Sequence, residues 1–169
     1  MFLTEQKLKS RLNELDSYRY REAIVLSSFQ THEDDGKRIH SAPLQPDDTW
    51  TEMKLGDTWT GRDRYLWLNV SAEVPAAWSG KTILGRFDFG KTGGGTNSGF
   101  ESLLYLNGQP YQGVDSNHME VFLPAGAAGQ QQQLTFRLWT GLEGGGKRIM
   151  QKHELQTAEL CWLDEPTDN

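Results

Sequence analysis

Aliphatic residues occupy every second position of the segment from Tyr65 to Val74, and no other feature of the sequence restricts the fold as strongly. One set of alternate positions is aliphatic, and the other carries a tryptophan and polar side chains. This period of two places successive side chains on opposite faces of a β-strand, with one face buried. Because strands of parallel sheets are apolar on both faces, the pattern predicts an antiparallel sheet.

Shorter segments of the same character recur along the chain. They lie at Glu22–Phe29, Thr82–Phe89, Ser102–Leu106, Gln109–Gln112, Met119–Leu123, Leu134–Trp139 and Ala158–Trp162. Asn107 and Gly108 join two of them and are the sequence signal for a type I′ hairpin turn, while Gly85 predicts a gap or bulge. Glycine-rich loops at 93–99, 126–129 and 141–146 separate other segments. Together these features predict an all-β, jelly-roll-like antiparallel β-sandwich.

The N-terminal segment has a helical period instead. Leu8, Leu12 and Leu15 recur at spacings of four and three residues, and Thr4 precedes them as a candidate N-cap. We expect this apolar stripe to dock on another part of the protein. The acidic, proline-containing end of the chain is typical of a linker. The predicted organisation is a helix at 1–20, a β-sandwich at 21–163 and the start of a linker at 164–169.

Composition narrows the functional classes. The 169 residues suffice for one domain, and 17 basic against 23 acidic residues give a net charge of −6. Nucleic-acid-binding proteins are normally basic, so we expect no nucleic-acid partner. The single cysteine, Cys161, excludes an internal disulfide and fits a reducing compartment. Charges occupy the N-terminal segment where a signal peptide is apolar, and no run of about 20 apolar residues occurs. A cytoplasmic location without a membrane partner is therefore expected.

The densest polar group of the sequence lies between two predicted strands. Asp115, Asn117 and His118 fall within four residues, and Glu101 begins the preceding strand. These side chains are candidates for contact with a substrate hydroxyl, a cation or a partner domain. The alternative is that Asp115 and Asn117 cap a turn through bonds to the backbone. A calcium ion held by Asp88 or Asp115 with loop carbonyls also stays open, whereas the sequence contains no zinc, phosphate-loop or nucleophile motif.

Six tryptophans in one domain suggest carbohydrate recognition, because an aromatic face stacks on the C–H face of a sugar. Trp67 lies opposite the aliphatic face of its strand, and Trp50 and Trp59 flank polar loops. These three are the candidates for sugar stacking. Packing in the core or against another domain is the alternative, since most tryptophans in sandwiches serve that purpose.

Several segments of the chain resemble one known family. The most specific is Glu101–His118, ESLLYLNGQPYQGVDSNH, and the others are YRYR at 18–21, YLWL at 65–68, FDFG at 87–90, EVFLP at 120–124 and LDEPTD at 163–168. In these segments the chain resembles the N-terminal β-sandwich domain of the α-mannosidases of glycoside hydrolase family 38, in the bacterial and fungal branch. The similarity covers nearly the whole chain. Ser116 departs from the family pattern, in which that loop position is usually basic.

The resemblance implies a galactose-binding-like sandwich that serves as a non-catalytic accessory domain. In that family the catalytic site lies in a separate α/β domain of the same polypeptide, where His and Asp residues hold one zinc ion and an Asp is the nucleophile of a retaining mechanism. It therefore implies no catalytic residue, zinc ligand or cofactor in this chain, and an enzymatic parent protein that degrades glycans. Asp115, Asn117, His118 and Glu101 are expected to contact the catalytic domain or to form the rim of its substrate site.

Two other functions remain open at this stage. An independent carbohydrate-binding module would bind an oligosaccharide directly, through Trp50, Trp59 or Trp67. A self-sufficient jelly-roll enzyme with a metal in a loop would need ligands that the spacing of the histidines does not supply. If the chain is a fragment of a longer enzyme, we expect it to self-associate through the face that its partner domain should cover.

Overall fold

The computed structural model describes residues 2–34, 42–90, 99–142 and 150–165 of the chain. Within these ranges it contains one α-helix, one short 3₁₀ helix at Ala76–Trp78 and twelve strands. The elements are α1 (Phe2–Arg19), β1 (Tyr20–Val25), β2 (Ser28–Asp34), β3 (Thr51–Lys54), β4 (Thr58–Gly61), β5 (Tyr65–Glu73), β6 (Thr82–Asp88), β7 (Glu101–Leu106), β8 (Gln109–Asp115), β9 (Glu120–Phe122), β10 (Gln131–Trp139), β11 (Gln151–Glu154) and β12 (Thr157–Leu163).

The strands form two main antiparallel sheets that share one core. The six-stranded sheet has the order β3-β2-β5-β10-β7-β8, and the four-stranded sheet has the order β1-β12-β6-β9. Strands β4 and β11 form a separate antiparallel pair. The predicted antiparallel β-sandwich with an N-terminal helix is confirmed.

The core lies between the two main sheets. Leu68 of β5 pairs with Phe136 of β10, and both side chains are fully buried. The ring of Phe136 lies edge-on to Phe87 and Phe89, on and just after β6, at centroid distances of 4.8 and 4.9 Å. Edge-to-face aromatic pairs add stability beyond that of the buried area. The aliphatic face of β5 is thus the buried one, as the alternation predicts.

The segment Glu22–Phe29 forms two strands, and the prediction of one was wrong. Strand β1 belongs to the four-stranded sheet, whereas β2 belongs to the six-stranded sheet. The crossing lies at Leu26 and Ser27: the N–H of Leu26 still donates to Ala158 of β12 (2.8 Å), and the carbonyl of Ser27 already accepts from Leu55 (3.1 Å). Because buried apolar residues, Leu26 and Phe29, stand on both sides of the two serines, the apolar pattern does not mark this corner.

Gly85 produces neither a gap nor a bulge. Strand β6 pairs with β12 in continuous register from Thr82 to Asp88. A Cβ at Gly85 would overlap the ring of Phe87, so the glycine makes room for that ring in the core.

The sequence pattern misses three short strands, β3, β4 and β11. Their sequences, TEMK, TWTG and QKHE, are polar and lack apolar alternation. Strand β4 nevertheless pairs Trp59 with His153 of β11, and both residues are buried. The Trp59 and His153 rings stack with centroids 4.4 Å apart. Here a tryptophan and a histidine fill positions that aliphatic residues would normally occupy.

The helix differs from its prediction in two respects. It begins at Phe2, so Thr4 lies inside the first turn and is not the N-cap. The side chains of Leu8 and Leu15 are 58% and 53% exposed, so within the described residues these two leucines do not make the expected docking contact. In the described part of the chain, the helices lack an apolar stretch long enough to cross a membrane.

Turn chemistry follows the prediction where it is described. Asn107 and Gly108 both have positive φ, 51° and 82°, as a type I′ hairpin requires. Residues 91–98 and 143–149 of the glycine-rich loops, and residues 166–169 of the predicted linker, lie outside the described residues. The described beginning of that linker is bound to the sandwich, since Asp164 accepts from Arg21 (2.9 Å) and Glu165 accepts from Thr82 (2.7 Å).

Candidate functional site

A buried charged cluster lies on the outer face of the six-stranded sheet, the face turned away from the core. The Asp34 carboxylate of β2 accepts from Nε of Arg137 on β10 (2.9 Å) and from the indole N–H of Trp67 on β5 (3.0 Å). The side chains of Asp34 and Arg137 are 4% and 17% exposed, and Trp67 is fully buried. The Asp34–Arg137 ion pair holds both side chains in place, because moving one charge away from the other inside the protein costs free energy.

Aromatic rings continue this cluster toward one end of the sheet. The guanidinium of Arg137 lies 4.4 Å from the centroid of the Tyr65 ring. Tyr65 stacks beside Trp139, with centroids 6.5 Å apart, and the indole N–H of Trp139 donates to Asp63 (2.9 Å). Two cavities open on the outer face of the six-stranded sheet. The smaller, of about 350 Å³, opens here and is lined by Tyr65, Glu101, Ser102, Leu103, Tyr105, Arg137 and Trp139.

The larger cavity, of about 480 Å³, opens on the same face and is lined by Ser28, Phe29, Gln30, Trp50, Thr51, Glu52, Asn69, Val70 and Ser71. Trp50 is half-buried, and its ring stacks on His32 with centroids 5.5 Å apart. The amide nitrogen of Asn69 donates to Thr135 (2.6 Å). The lining of this cavity is thus mostly polar, with one aromatic wall.

The turn from Asp115 to His118 has the capped geometry that was one of the two interpretations of this segment. Oδ1 of Asp115 accepts from the backbone N–H groups of Asn117 (2.7 Å) and His118 (2.9 Å). Nδ1 of His118 lies 3.0 Å from Oδ2 of the same carboxylate. Partial burial opposes ionisation of Asp115, but these hydrogen bonds outweigh it and lower the pKa of the carboxyl.

The same contacts aim the histidine outward. A neutral imidazole that donates from Nδ1 to Asp115 has an unprotonated Nε2, which accepts hydrogen bonds. The side chain of His118 is 71% exposed, so this acceptor is presented to solvent. Asn117 is also exposed.

The strand register brings all four predicted rim residues to one corner. Glu101 of β7 lies directly opposite Asp115 of β8, and Asn117 and His118 follow in the adjoining turn. Gly99, at the described edge of a glycine-rich loop, packs so closely against Ser116 that a Cβ would overlap its hydroxyl. Glu101 also lines the smaller cavity, so the turn and that cavity adjoin.

The three candidate stacking tryptophans have different surroundings. Trp59 is 7% exposed, belongs to the core and stacks on His153. Trp67 does lie on the face opposite the aliphatic residues, but it is fully buried. Neither ring presents a face on which a sugar can stack. Trp50, which lines the larger cavity, is the one of the three that can contact a ligand.

Sequence reasoning missed Asp34, Arg137, Tyr65 and Trp139. Asp34 and Arg137 are 103 positions apart, and only the pairing of β2 and β10 with β5 brings them together. A usable signal was present in β10, where a basic residue and a tryptophan occupy the non-aliphatic face of an otherwise apolar strand.

No group of three or more metal-ligating side chains occurs among the described residues. Asp88 instead accepts from the backbone N–H of Gly90 (2.9 Å). The resemblance assigns zinc to a different domain.

Comparison with protein families identifies the domain. Residues 24–158 match the family described as the jelly roll domain of α-mannosidase, the first domain of Ams1-like proteins. The chain belongs to this family. The match runs from the end of β1 to the start of β12 and includes every strand between them, so the resemblance predicted from the sequence is confirmed.

Solved structures show the same fold at low sequence identity. The chain is similar to the β-glucuronidase of Ruminococcus gnavus in complex with D-glucaro-d-lactam, with a TM-score of 0.59 and 14% identity over 85% of this chain and 30% of that one. The same enzyme with uronic deoxynojirimycin gives a TM-score of 0.59 and 15% identity, over 85% and 29%. The chain thus spans less than a third of these proteins. A search among curated sequences finds no match.

Proposed function

We propose that the chain is the non-catalytic accessory domain of an α-mannosidase, which packs on a zinc-dependent catalytic domain of the same polypeptide. The match of residues 24–158 to the jelly roll domain of α-mannosidase carries this proposal. The parent protein would be a retaining glycosidase that degrades α-mannosides in the cytoplasm. The similarity to one portion of larger glycosidases supports a role as one domain among several.

The β8–β9 edge, formed by Tyr111, Asp115–Met119 and Phe122, is the surface that we assign to the catalytic domain. Tyr111, Met119 and Phe122 are 43%, 38% and 46% exposed. The Tyr111 hydroxyl donates to the carbonyl of Phe122 (2.7 Å), so β8 and β9 are joined at this edge, and Met119 follows the polar turn in sequence. Exposed apolar strips with polar borders are typical of surfaces that bind another protein or domain.

In this arrangement His118 binds the sugar or the catalytic domain, and Asp115 orients the His118 ring. Asp115 fixes the ring, and Nε2 of His118 accepts a hydrogen bond from a sugar hydroxyl or from a donor of the catalytic domain. The lowered pKa of Asp115 keeps this carboxyl ionised at neutral pH, so it has no proton to donate as a general acid. Asn117 and Glu101 flank the same corner and add polar contacts.

The first experiment determines the coding sequence that surrounds residues 1–169. We expect the reading frame to continue into an α/β domain with clustered His and Asp ligands, and the purified product to hydrolyse an α-mannoside until a chelator removes its zinc. A stop codon directly after Asn169, or a long product that contains zinc but leaves α-mannosides intact, would contradict the proposal.

A second experiment tests the assigned surface in that longer protein. We expect His118→Ala and Asp115→Ala to raise KM severalfold with little change in kcat, because they remove a binding contact and its orientation. Val25→Ala, at an exposed position on β1, is the matched control and leaves KM unchanged. Unchanged KM and thermal stability in both turn variants would place the interface elsewhere.

The isolated chain provides a third check. With the β8–β9 edge uncovered, we expect concentration-dependent self-association, which Phe122→Ser weakens by removing an exposed ring. Sedimentation at several concentrations measures this directly. A strictly monomeric wild type at millimolar concentration would argue that this edge is not an interface.

A further inference from the structure

The outer face of the six-stranded sheet has a chemistry that the accessory role does not use. Two cavities open on it, of about 480 and 350 Å³, on either side of the sheet's central strands. Both are open depressions in the surface rather than enclosed cavities, a shape that suits an extended ligand lying along the sheet. Each cavity has an aromatic wall, Trp50 in the larger and the Tyr65–Trp139 stack in the smaller.

The larger cavity presents hydrogen-bonding groups without internal partners. Among the described residues, the side chains of Gln30 and Ser71 and the indole N–H of Trp50 make no hydrogen bond, and neither does the amide oxygen of Asn69. Glu101, at the smaller cavity, likewise has an unpaired carboxylate within the described structure. Flat apolar walls beside scattered polar groups suit a ligand that combines C–H faces with many hydroxyls, and sugars have that character.

The walls of both cavities are held rigidly. Stacking on His32 fixes Trp50, while Asp63 and Tyr65 fix Trp139. The buried Asp34–Arg137 pair lies under the Tyr65 ring. Rigid side chains lose little conformational entropy when a ligand binds, so the face is prepared for a ligand before one arrives.

Spacing and charge define the ligand further. The larger cavity centres on β2 and the smaller lies over β10 and β7, two to three strands away, which corresponds to about 10–15 Å across the strands. They are also displaced along β5, where the larger cavity contacts Asn69 and the smaller contacts Tyr65, about 13 Å apart at the rise of a strand. A chain of sugars spans that distance and a single sugar does not.

The charged residues that line the cavities are Glu52, Glu101 and Arg137. Glu52 is paired with Lys54 (3.4 Å) and Arg137 with Asp34 (2.9 Å). Within the described structure the Glu101 carboxylate is therefore the uncompensated charge, and it disfavours anionic glycans.

We propose that the outer face of the six-stranded sheet binds a neutral oligosaccharide that lies across the strands, with one sugar stacked on Trp50 and another on the Tyr65–Trp139 stack. This binding does not depend on the mannosidase assignment. A parent protein without mannosidase activity would remove that assignment and leave the glycan face untouched.

The test titrates the chain with mannose and with linear pentasaccharides of mannose, glucose and xylose, followed by tryptophan fluorescence and by amide chemical shifts. We expect at least one pentasaccharide to bind at least tenfold more tightly than the monosaccharide, because the second contact becomes intramolecular. The shifted amides should lie on β2, β5 and β10. Lack of saturable binding by all three pentasaccharides up to millimolar concentration, or shifts confined to the four-stranded sheet, overturns the proposal.

Variants locate the contacts. We expect Trp50→Ala and Trp139→Ala each to weaken binding of the pentasaccharide about tenfold, and Gln30→Ala, at an exposed position, to weaken it about threefold. Trp162→Ala removes a similarly half-buried indole from β12 of the four-stranded sheet and serves as the matched control. If a tryptophan variant fails to fold, Gln30→Ala and the wild-type shift map still decide the question. Full affinity in all three variants contradicts the proposed contacts.

Discussion

The two faces of the six-stranded sheet are buried by different means. On the inner face, Leu68 and Phe136 are fully buried among apolar side chains. On the outer face, Trp67 is just as buried, but its neighbours include the Asp34 carboxylate and the Arg137 guanidinium. The same strands carry both faces, since Trp67 and Leu68 are adjacent in β5.

This difference shows that burial alone does not identify a core. The inner face is stabilised by packing and tolerates changes that keep shape and volume. The outer face depends on hydrogen bonds between particular partners, and removing one partner destabilises the fold because the remaining buried charge loses its compensation. A sheet face built in this second way is also suited to ligand binding, because its polar groups are already in fixed positions.

The largest expected effect is on the inner face. Phe136→Ala removes a ring that touches Phe87 and Phe89, so we expect it to lower the free energy of unfolding by about 3–5 kcal/mol. Urea denaturation at pH 5 and pH 8 measures the loss, which should be the same at both pH values because no charge is involved. A loss below about 1 kcal/mol would mean that the neighbouring side chains move into the space left by the Phe136 ring.

The outer face should respond differently to paired changes. We expect Arg137→Met to lower stability by about 3 kcal/mol, because Asp34 loses a charged hydrogen-bond donor. Adding Asp34→Asn should recover part of the loss, which gives a coupling energy above about 1 kcal/mol in a double-mutant cycle. Additive effects of the two substitutions would show that the pair is not coupled.

A third prediction concerns His153, which is buried between β4 and the core. Nε2 and Nδ1 lie 3.0 and 3.3 Å from the carbonyls of Thr140 and Gly90. Burial lowers the pKa of His153 below its ordinary 6.5, although both carbonyls oppose the shift. The unfolded chain therefore takes up its proton first, so stability is complete above pH 6.5 and falls as the pH drops toward the folded pKa.

Urea midpoints between pH 8 and pH 5 test this, together with the ring proton shifts of His153. The exposed His118 supplies the control, because His118→Gln should leave the loss of stability in place. A midpoint that rises as the pH falls through 6.5 would mean that the two carbonyls outweigh burial and hold the ring as a cation.

The smallest effect is expected at the surface turn. Asp115→Ala removes the acceptor for two backbone N–H groups, and we expect a loss of about 1 kcal/mol at pH 7. Because the folded pKa of Asp115 is lowered, this contribution is present above the unfolded value of about 3.9 and disappears as the pH falls below it. Asn117→Ala keeps the backbone donor and should change the melting temperature little. Equal losses in the two variants would contradict the capping role.

Local signals in the sequence recover most of the sandwich. The alternation in β5 and the Asn107–Gly108 turn act through neighbouring residues, and the structure contains both as predicted. Strands β4 and β11 escape the pattern because their buried members include Trp59 and His153, whose pairing depends on residues nearly a hundred positions apart.

The candidate sites depend on long-range contacts to different degrees. The turn at Asp115–His118 forms from neighbouring residues, so the sequence predicts its position. The sequence alone does not decide whether these side chains cap the turn or bind a partner. On the outer face of the six-stranded sheet the sequence located Trp50 but not Tyr65 or Trp139, because β5 and β10 contribute those two residues and a distant segment supplies Trp50. Trp67 was a poor candidate for the same reason, since Asp34 and Arg137 come from other strands.

Strands β1 and β12, the first and last of the sandwich, lie side by side, with Tyr20 opposite Leu163. The chain therefore enters β1 from α1 and leaves β12 after Leu163 within about one strand spacing, roughly 5 Å. Tension between α1 and the segment after Leu163 would separate the hydrogen bonds of this strand pair one after another, starting at Tyr20 and Leu163, rather than load them all at once. The ion pair between Arg21 and Asp164 lies beside the Tyr20–Leu163 pair, where the strands would separate first, and it resists that separation.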